Sequence, residues 1–243
     1  MEQFSLKGKT ILVTGASSGL GKQTAISASK MGAVVMITGR DAERLQQTFD
    51  LLEGTGHKSF IADLTIQSDI DTLVASLPEL QGVVYSTGIS DLTPARFITE
   101  KDVTKTFSIS YTASVLLTSG LLAKKRIARN ASLVFISSIS TRYPFVGGAM
   151  YISAKAALEA YARVLALELA PKGIRVNCVA PAFVKTPMLD NTAVNYSSDA
   201  VKLIEAKQIL GLGEPEDVAN TIIYFLSDAS KWVSATNLIL GGG

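Results

Sequence analysis

Short apolar runs rich in β-branched residues recur along the chain at positions 10–14, 33–38, 59–62, 82–86, 132–137, 174–180 and 237–240. They are continuous rather than alternating, which predicts strands buried on both faces. Between them apolar residues return every three or four positions, over 20–31, 42–52, 70–77, 149–170 and 216–226. That is the period of helices with one buried stripe. Strands and helices in alternation make βαβ units, so the pattern predicts an α/β protein: a doubly wound parallel sheet of seven strands with helices on both faces. No linker-like stretch, repeat or charge block interrupts it, and residues 1–243 are read as one domain. Two segments depart from the pattern. Positions 101–128 are apolar over more of their circumference than one buried face needs, which predicts contact with a partner subunit. Positions 186–213 are helical in character but irregular, and are expected to form a lid over a substrate at the carboxyl edge of the sheet.

Composition narrows the function classes. The 23 basic and 21 acidic side chains leave a net charge of +2, too small and too dispersed to indicate nucleic acid or membrane as the main partner. Charged residues make up 18%, below the ~25% of ordinary soluble domains, again in keeping with a homo-oligomer, dimer or tetramer. A single cysteine, Cys178, rules out an internal disulfide, and no cysteine or histidine cluster is spaced for zinc. No uninterrupted run of ~18 apolar residues occurs and Met1-Glu2-Gln3 starts no signal peptide, so a cytoplasmic protein is expected.

The first strand run leads into Thr14-Gly15-Ala16-Ser17-Ser18-Gly19-Leu20-Gly21 and then a helix. Gly15 permits a tight turn, Gly19 lets backbone approach a pyrophosphate, and Gly21 lets the helix pack closely on the strand. The free N–H groups and dipole at the helix start attract the anion. Between a first strand and a first helix, this reads as a dinucleotide loop of the Rossmann type against the blander reading of a surface turn. The same residues spell G-x-S-x-G around Ser17, but a hydrolase elbow needs a later acid and then a histidine. The one histidine, His57, comes too early and is read as a strand-edge residue. At the end of the second run, Thr38-Gly39-Arg40 lacks the acid that would bind ribose hydroxyls. Arg40 instead offers a planar fork to a 2′-phosphate, favouring NADP over NAD. The alternative is a solvated Arg40 paired with Asp41 or Glu43.

Tyr151 and Lys155 lie four residues apart in a helical pattern, hence on one face. A nearby ammonium favours the phenolate and draws a tyrosine down from its unperturbed ~10. Such a pair alone is common. Ser138, at the end of the 132–137 run and thus at the ligand-binding edge, gives it meaning: its hydroxyl polarises a carbonyl while Tyr151 supplies the proton. Ser137 is the neighbouring alternative, but its side chain should point to the other face.

These segments resemble the short-chain dehydrogenase/reductase family over essentially the whole chain. The resemblance is carried by the 14–21 loop, Asp63-Leu64, Ser138 with Tyr151 and Lys155, Arg175-Val176-Asn177-Cys178-Val179-Ala180-Pro181, Pro187-Met188 and the closing Gly242-Gly243. Among members the chain is most similar to bacterial 3-oxoacyl-acyl-carrier-protein reductases. The resemblance implies Tyr151 as general acid/base, Ser138 as carbonyl orienter, and Lys155 as the residue that binds the nicotinamide ribose and depresses the tyrosine. It implies a cofactor site of Gly15, Ser17, Ser18, Gly19, Leu20 and Arg40, with Asp63 and Leu64 flanking the adenine. Ser86, Thr87, Gly88 and Pro181 continue that site, and Val184 with Thr186 reaches the carboxamide end. Helices at 101–128 and 149–170 would form tetramer faces. The chain also departs from the family. Ser86-Thr87-Gly88 stands where Asn-Ala-Gly is usual, Ser110 where a second, relay-associated asparagine is usual, Ala182 after Pro181, and Gly241 before the last glycines in place of aspartate.

The function implied is that of an NADP(H)-dependent carbonyl reductase or alcohol dehydrogenase acting without metal on a small-molecule or thioester carbonyl. Ser110 is counted with the catalytic set as a replacement for the relay asparagine. The Ser86 and Ser110 changes also motivate an alternative, an NADP-binding sensor or assembly partner with little catalysis. A nucleotide-sugar epimerase or dehydratase uses a similar Tyr–Lys pair, but with other glycine spacing and a larger C-terminal substrate domain. Met188, Leu189, Val201, Leu203 and Ile204 line an apolar or mixed pocket or serve as ordinary packing. Lys124, Lys125, Arg126 and Arg129, with Lys172 and Arg175, read either as a docking face for an acidic acyl carrier protein or as a solvated helix end.

Overall fold

A computed structural model of the chain describes residues 2–193 and 208–241. Seven parallel strands form one sheet: β1 (Thr10–Thr14), β2 (Val34–Gly39), β3 (Lys58–Ile61), β4 (Leu80–Tyr85), β5 (Ile127–Ile136), β6 (Arg175–Pro181) and β7 (Asn237–Leu240). Their order is β3-β2-β1-β4-β5-β6-β7. The chain runs outward from β1 in one direction, then returns to place β4 on its other side. Loops therefore diverge above the carboxyl ends of β1 and β4, leaving a crevice there.

Because neighbouring residues of a strand face opposite ways, doubly apolar strands feed two cores. Leu12, Val83, Tyr85, Leu133, Phe135 and Val176 point to one side. That side is covered by α3 (Gln67–Ser76), α5 (Ala113–Ala123) and α6 (Ala149–Leu169). Ile11, Val13, Val35, Val84, Val134 and Val179 point to the other, under α1 (Gly19–Lys30) and α8 (Pro215–Leu226). Helix α2 (Ala42–Phe49) follows β2, its first turn capped by Asp41, whose carboxylate accepts the Arg44 N–H at 2.9 Å.

The 101–128 segment is not one helix. It comprises α4 (Glu100–Phe107), a π-helical turn (Ser108–Thr112) and α5, and the chain then turns into β5 at Ile127. Lys125 sits at φ 54°, which ends the helix; Arg126 N–H returns to the Leu121 carbonyl, and its own carbonyl accepts from Leu80 N–H to start the β4–β5 pairing. Neither glycine nor proline marks this turn, so periodicity alone ran through it. The helical path Glu100–Ala123 has the length and mean hydropathy, 1.3, of a membrane span. Its buried positions Ala113, Leu117 and Leu121 pack in the core beside the sheet. His57 accepts the Val35 N–H at Nδ1 (3.0 Å) and contacts the Glu53 carbonyl through Nε2 (2.9 Å), an edge-fastening role.

Candidate active site

At the end of β1 the Thr14 hydroxyl accepts from the Ser86 N–H (3.1 Å) and the Thr87 hydroxyl (3.0 Å), tying the loops after β1 and β4 together. The glycine turn between β1 and α1 is closed to side chains at two positions. A Cβ on Gly15 would lie 2.9 Å from the Ser86 carbonyl oxygen, and one on Gly21 only 2.4 Å from the Gly15 carbonyl oxygen. Ser18 caps α1 without a side-chain hydrogen bond, so first-turn N–H groups face the crevice unclaimed by a side chain. These are the conditions a pyrophosphate needs: donors, a favourable dipole and bare backbone.

A cleft of about 880 Å³ extends from this loop to α7 (Pro187–Ala193), within the usual range for ligand sites. Its wall includes Gly15, Ser17, Ser18, Gly19 and Leu20 on the first loop, Arg40 after β2, Asp63 and Leu64 after β3, and Ser86, Thr87 and Gly88 after β4. Ser138, Tyr151, Lys155, Pro181, Val184 and Thr186 complete it. Ser110 is not on that wall. It lies fully buried on the π-helical turn, its hydroxyl accepting the Ile89 N–H at 3.2 Å. Gly88 separates it from the cleft: a Cβ there would be 3.7 Å from Ser110 Oγ and 3.2 Å from Lys155 Nζ.

Ser138 stands two residues past the end of β5, still in extended conformation. Its hydroxyl accepts two hydrogen bonds, from Ser140 N–H at 3.2 Å and Ser140 Oγ–H at 2.9 Å. Both lone pairs are thereby used, and its own proton is left to give. Ser137 was expected on the other face of the strand, but it lines the same cleft, and its hydroxyl is spent on Glu159 of α6, donating to Oε1 at 2.5 Å. Tyr151 stands on the first turn of α6. Burial pushes its phenol above the ordinary tyrosine value, and hydrogen bonding with Ser138 opposes that rise. Lys155 is 4% exposed and donates to the Ile136 carbonyl at 2.7 Å, its Nζ 5.9 Å from the Tyr151 ring centroid. Burial draws the lysine down to about 8. The expected lowering of Tyr151 by Lys155 is thus not realised in this geometry: the ammonium is held by a strand carbonyl, and desolvation governs the phenol.

At the far end of the cleft Arg40 pairs with neither Asp41 nor Glu43 but with Asp63, at 3.5 Å. Burial raises the Asp63 carboxyl, yet hydrogen bonds from Thr65 and the Arg40 guanidinium outweigh it and hold the group below the usual carboxylate range. Arg44, which sequence reasoning missed, also lines the cleft. Its guanidinium engages Asp41 at 2.8 Å, so the one acid that follows β2 directly is occupied. The Asp41 cap spacing was the signal that would have placed Arg44 on the first turn of α2. Ser17 Oγ lies 3.0 Å from the Cβ position of Gly39, which brings that hydroxyl to the same corner.

The basic cluster does not face the cleft. Lys124 to Arg129 lie at the start of β5, whereas Ser138 follows its end, a strand of ten residues or roughly 30 Å away. Arg126 is spent on the Val74 and Ala75 carbonyls at the end of α3, and Arg175 is buried against Ser230 and the Ser227 carbonyl. Of the proposed lid, Met188 and Leu189 line the cleft and Gly213 bridges to Val184. Val201, Leu203 and Ile204 fall outside the described residues.

The family model described as "Enoyl-(Acyl carrier protein) reductase" matches residues 15–243. The chain belongs to the short-chain dehydrogenase/reductase family. It is an oxidoreductase of that family, whose members use a nicotinamide cofactor. Over 99% of its length it is 32% identical to a (2S)-[(R)-hydroxy(phenyl)methyl]succinyl-CoA dehydrogenase subunit of Thauera aromatica, covering 98% of that protein. It is equally similar, 32% over 99% of the chain and 98% of the relative, to the 3-oxoacyl-[acyl-carrier-protein] reductase of Rickettsia felis. Among solved structures, an actinorhodin polyketide ketoreductase with NADPH superimposes with a TM-score of 0.90 at 26% identity, over 99% of this chain and 97% of that one.

Proposed function

We propose that the protein is an NADP(H)-dependent reductase, or dehydrogenase in the reverse direction, that interconverts a carbonyl and a secondary alcohol. The observation that carries the reading is the meeting of Ser138, Tyr151 and Lys155 on one wall of a cleft whose other end is a helix start with no side-chain cap bond. The nicotinamide, when bound, supplies or accepts the hydride. Ser138, with both lone pairs engaged by Ser140, donates its proton to the carbonyl oxygen. Tyr151, kept protonated by burial, serves as the acid that completes the alcohol. Lys155 presents a cation beside the phenol and offers its remaining N–H groups to the ribose hydroxyls. Ile89, Leu92, Ile139, Phe145 and Met188 give the substrate end apolar walls, which suit the carbon chain of a ketone or of an acyl thioester. Relatives named for acyl-carrier and CoA substrates support the thioester class.

The preference for NADP rests on Arg40, whose side chain is 59% exposed at the ribose corner, on the neighbouring Arg44, and on the occupation of Asp41. The test is a screen of ketones, β-ketoesters and a β-ketoacyl thioester with NADPH and with NADH, run on the wild type and on Tyr151→Phe. General acid catalysis contributes about 10²–10⁴-fold. The variant should lose turnover by that factor while its Kd for NADPH, read by fluorescence, stays within a few-fold. Undiminished turnover in Tyr151→Phe removes the assignment. Tight NADPH binding with no carbonyl turned over points instead to the sensor or assembly role.

A further inference from the structure

Tyr151, Lys155 and Glu159 follow one another at intervals of four residues along α6 and so share one stripe of it. The three meet consecutive residues of the strand end: Lys155 grips the Ile136 carbonyl, Glu159 takes the Ser137 hydroxyl, and Tyr151 faces Ser138. The same oxygen of Glu159 also accepts the Thr141 hydroxyl at 2.9 Å. Ser138 is therefore bracketed, one residue before and three after, by hydroxyls anchored on a single carboxylate.

That carboxylate stands at a largely buried position. Glu159 is 9% exposed, and among the described residues no cation lies within 4.0 Å of it. Its neighbours on the buried side of α6 are Leu158, Ala162 and Leu165, and an apolar residue would fill the position without desolvating an acid. An apolar residue could not hold two hydroxyls of the turn. Charge-assisted bonds are about twice as strong as neutral ones and shorter, which suits a clamp.

We propose that Glu159 is a positioning residue: it locks the Ser137–Thr141 turn onto α6 and thereby sets how the Ser138 hydroxyl meets the Tyr151 phenol. The inference rests on the reading that Ser138 holds the carbonyl. Because Tyr151 and Glu159 ride on the same helix, a shift of the turn changes the Ser138–Tyr151 relation directly. Misplacement of a reacting group by ~1 Å costs about 10²-fold.

The test is a double-mutant cycle on the full-length protein, with kcat, KM for the carbonyl, NADPH Kd and Tm measured for each member. Glu159→Leu should lower kcat tenfold to a hundredfold and leave NADPH Kd within twofold. Glu159→Gln, which still offers an oxygen to both hydroxyls, should recover most of the turnover. In a Ser138→Ala background Glu159→Leu should add less than twofold, since the group it positions is gone. Equal losses in both backgrounds, or an unchanged kcat in Glu159→Leu, overturn the proposal. If Glu159→Leu does not fold, Ser137→Ala removes the shorter of the two bonds to Glu159 without touching Thr141, whose hydroxyl also reaches the Ser138 carbonyl at 3.0 Å, and should lower kcat in the wild-type background and add less than twofold in the Ser138→Ala background. Full turnover in Ser138→Ala alone is a separate result: it removes the role of Ser138, and the positioning role falls with it.

Discussion

Lys155 puts a charge where the fold resists one. Its folded value of about 8 lies below the 10.5 of the free side chain. Between those values the unfolded chain binds the proton and the folded protein does not, so this residue makes stability rise with pH. Below 8 both states are protonated and the whole penalty, on the order of 3 kcal/mol, is present. Burial acts oppositely on Cys178, raised to about 12 from 9.0, whose contribution is lost as pH climbs above 9. The two overlap, and a difference measurement separates them. Lys155→Met should be more stable than wild type at pH 7, with turnover lost, and the gap in unfolding free energy should close between pH 8 and 10.5. A gap independent of pH would mean the ammonium is not desolvated. At the other end of the cleft, charge-assisted hydrogen bonds worth about 1.5–3 kcal/mol set the scale. Arg40→Ala should weaken NADPH about tenfold to a hundredfold in Kd and change NADH less than threefold. Arg40 was legible because no acid stands at its place. Arg44 was not, because its role depends on which way a capped first turn points.

Among the elements, strands were the most legible, since runs apolar on both faces leave little choice but a covered parallel sheet. The glycine turn between β1 and α1 and the shared face of Tyr151 and Lys155 followed from glycine placement and a spacing of four. What periodicity could not show was interruption without glycine or proline. The π-helical turn that buries Ser110 keeps every residue helical in character, and the Lys125 turn relies on one residue accepting φ 54°. Arg126 accounts for that corner: having left α5, it reaches the last carbonyls of α3 through Nε (3.2 Å) and Nη2 (2.9 Å). Arg126→Ala should cost about 1.5–3 kcal/mol in urea unfolding, the worth of bonding from a charged donor, and leave kcat untouched. Loss of kcat there would show that the amino edge of the sheet communicates with the cleft. Charge reversal at Lys125 and Arg129 should likewise leave turnover of a carrier-bound thioester unchanged. A fall in KM-normalised rate confined to the carrier-bound substrate would restore the docking reading.

For the whole molecule, the outward faces of the sheet-covering helices raise the question of assembly. Val164 and Leu167 on α6 are 52% and 75% exposed, and Val103 and Leu116 stand exposed on α4 and α5. Single exposed apolar residues need no explanation. Here they lie on the helices of one side of the sheet, in a chain with few charges to keep such a face in water. Burial of a face of this kind against a second copy returns about 25 cal/mol per Å² of apolar surface, whereas the stripe of Tyr151, Lys155 and Glu159 is already engaged within the protomer. Assembly and catalysis should therefore be separable on α6. The wild type is expected to run as a dimer or tetramer in light scattering at micromolar concentration, and Val164→Asp with Leu167→Asp as a smaller species. NADPH Kd in that variant should move less than about threefold, because the changed side chains point away from the cleft. An unchanged mass would place the contact on another face and leave these residues as solvent-facing packing. A smaller species that no longer binds NADPH would mean that α6 owes its position against β5 to the neighbouring subunit, and that the three grips on Ile136, Ser137 and Ser138 do not hold it alone.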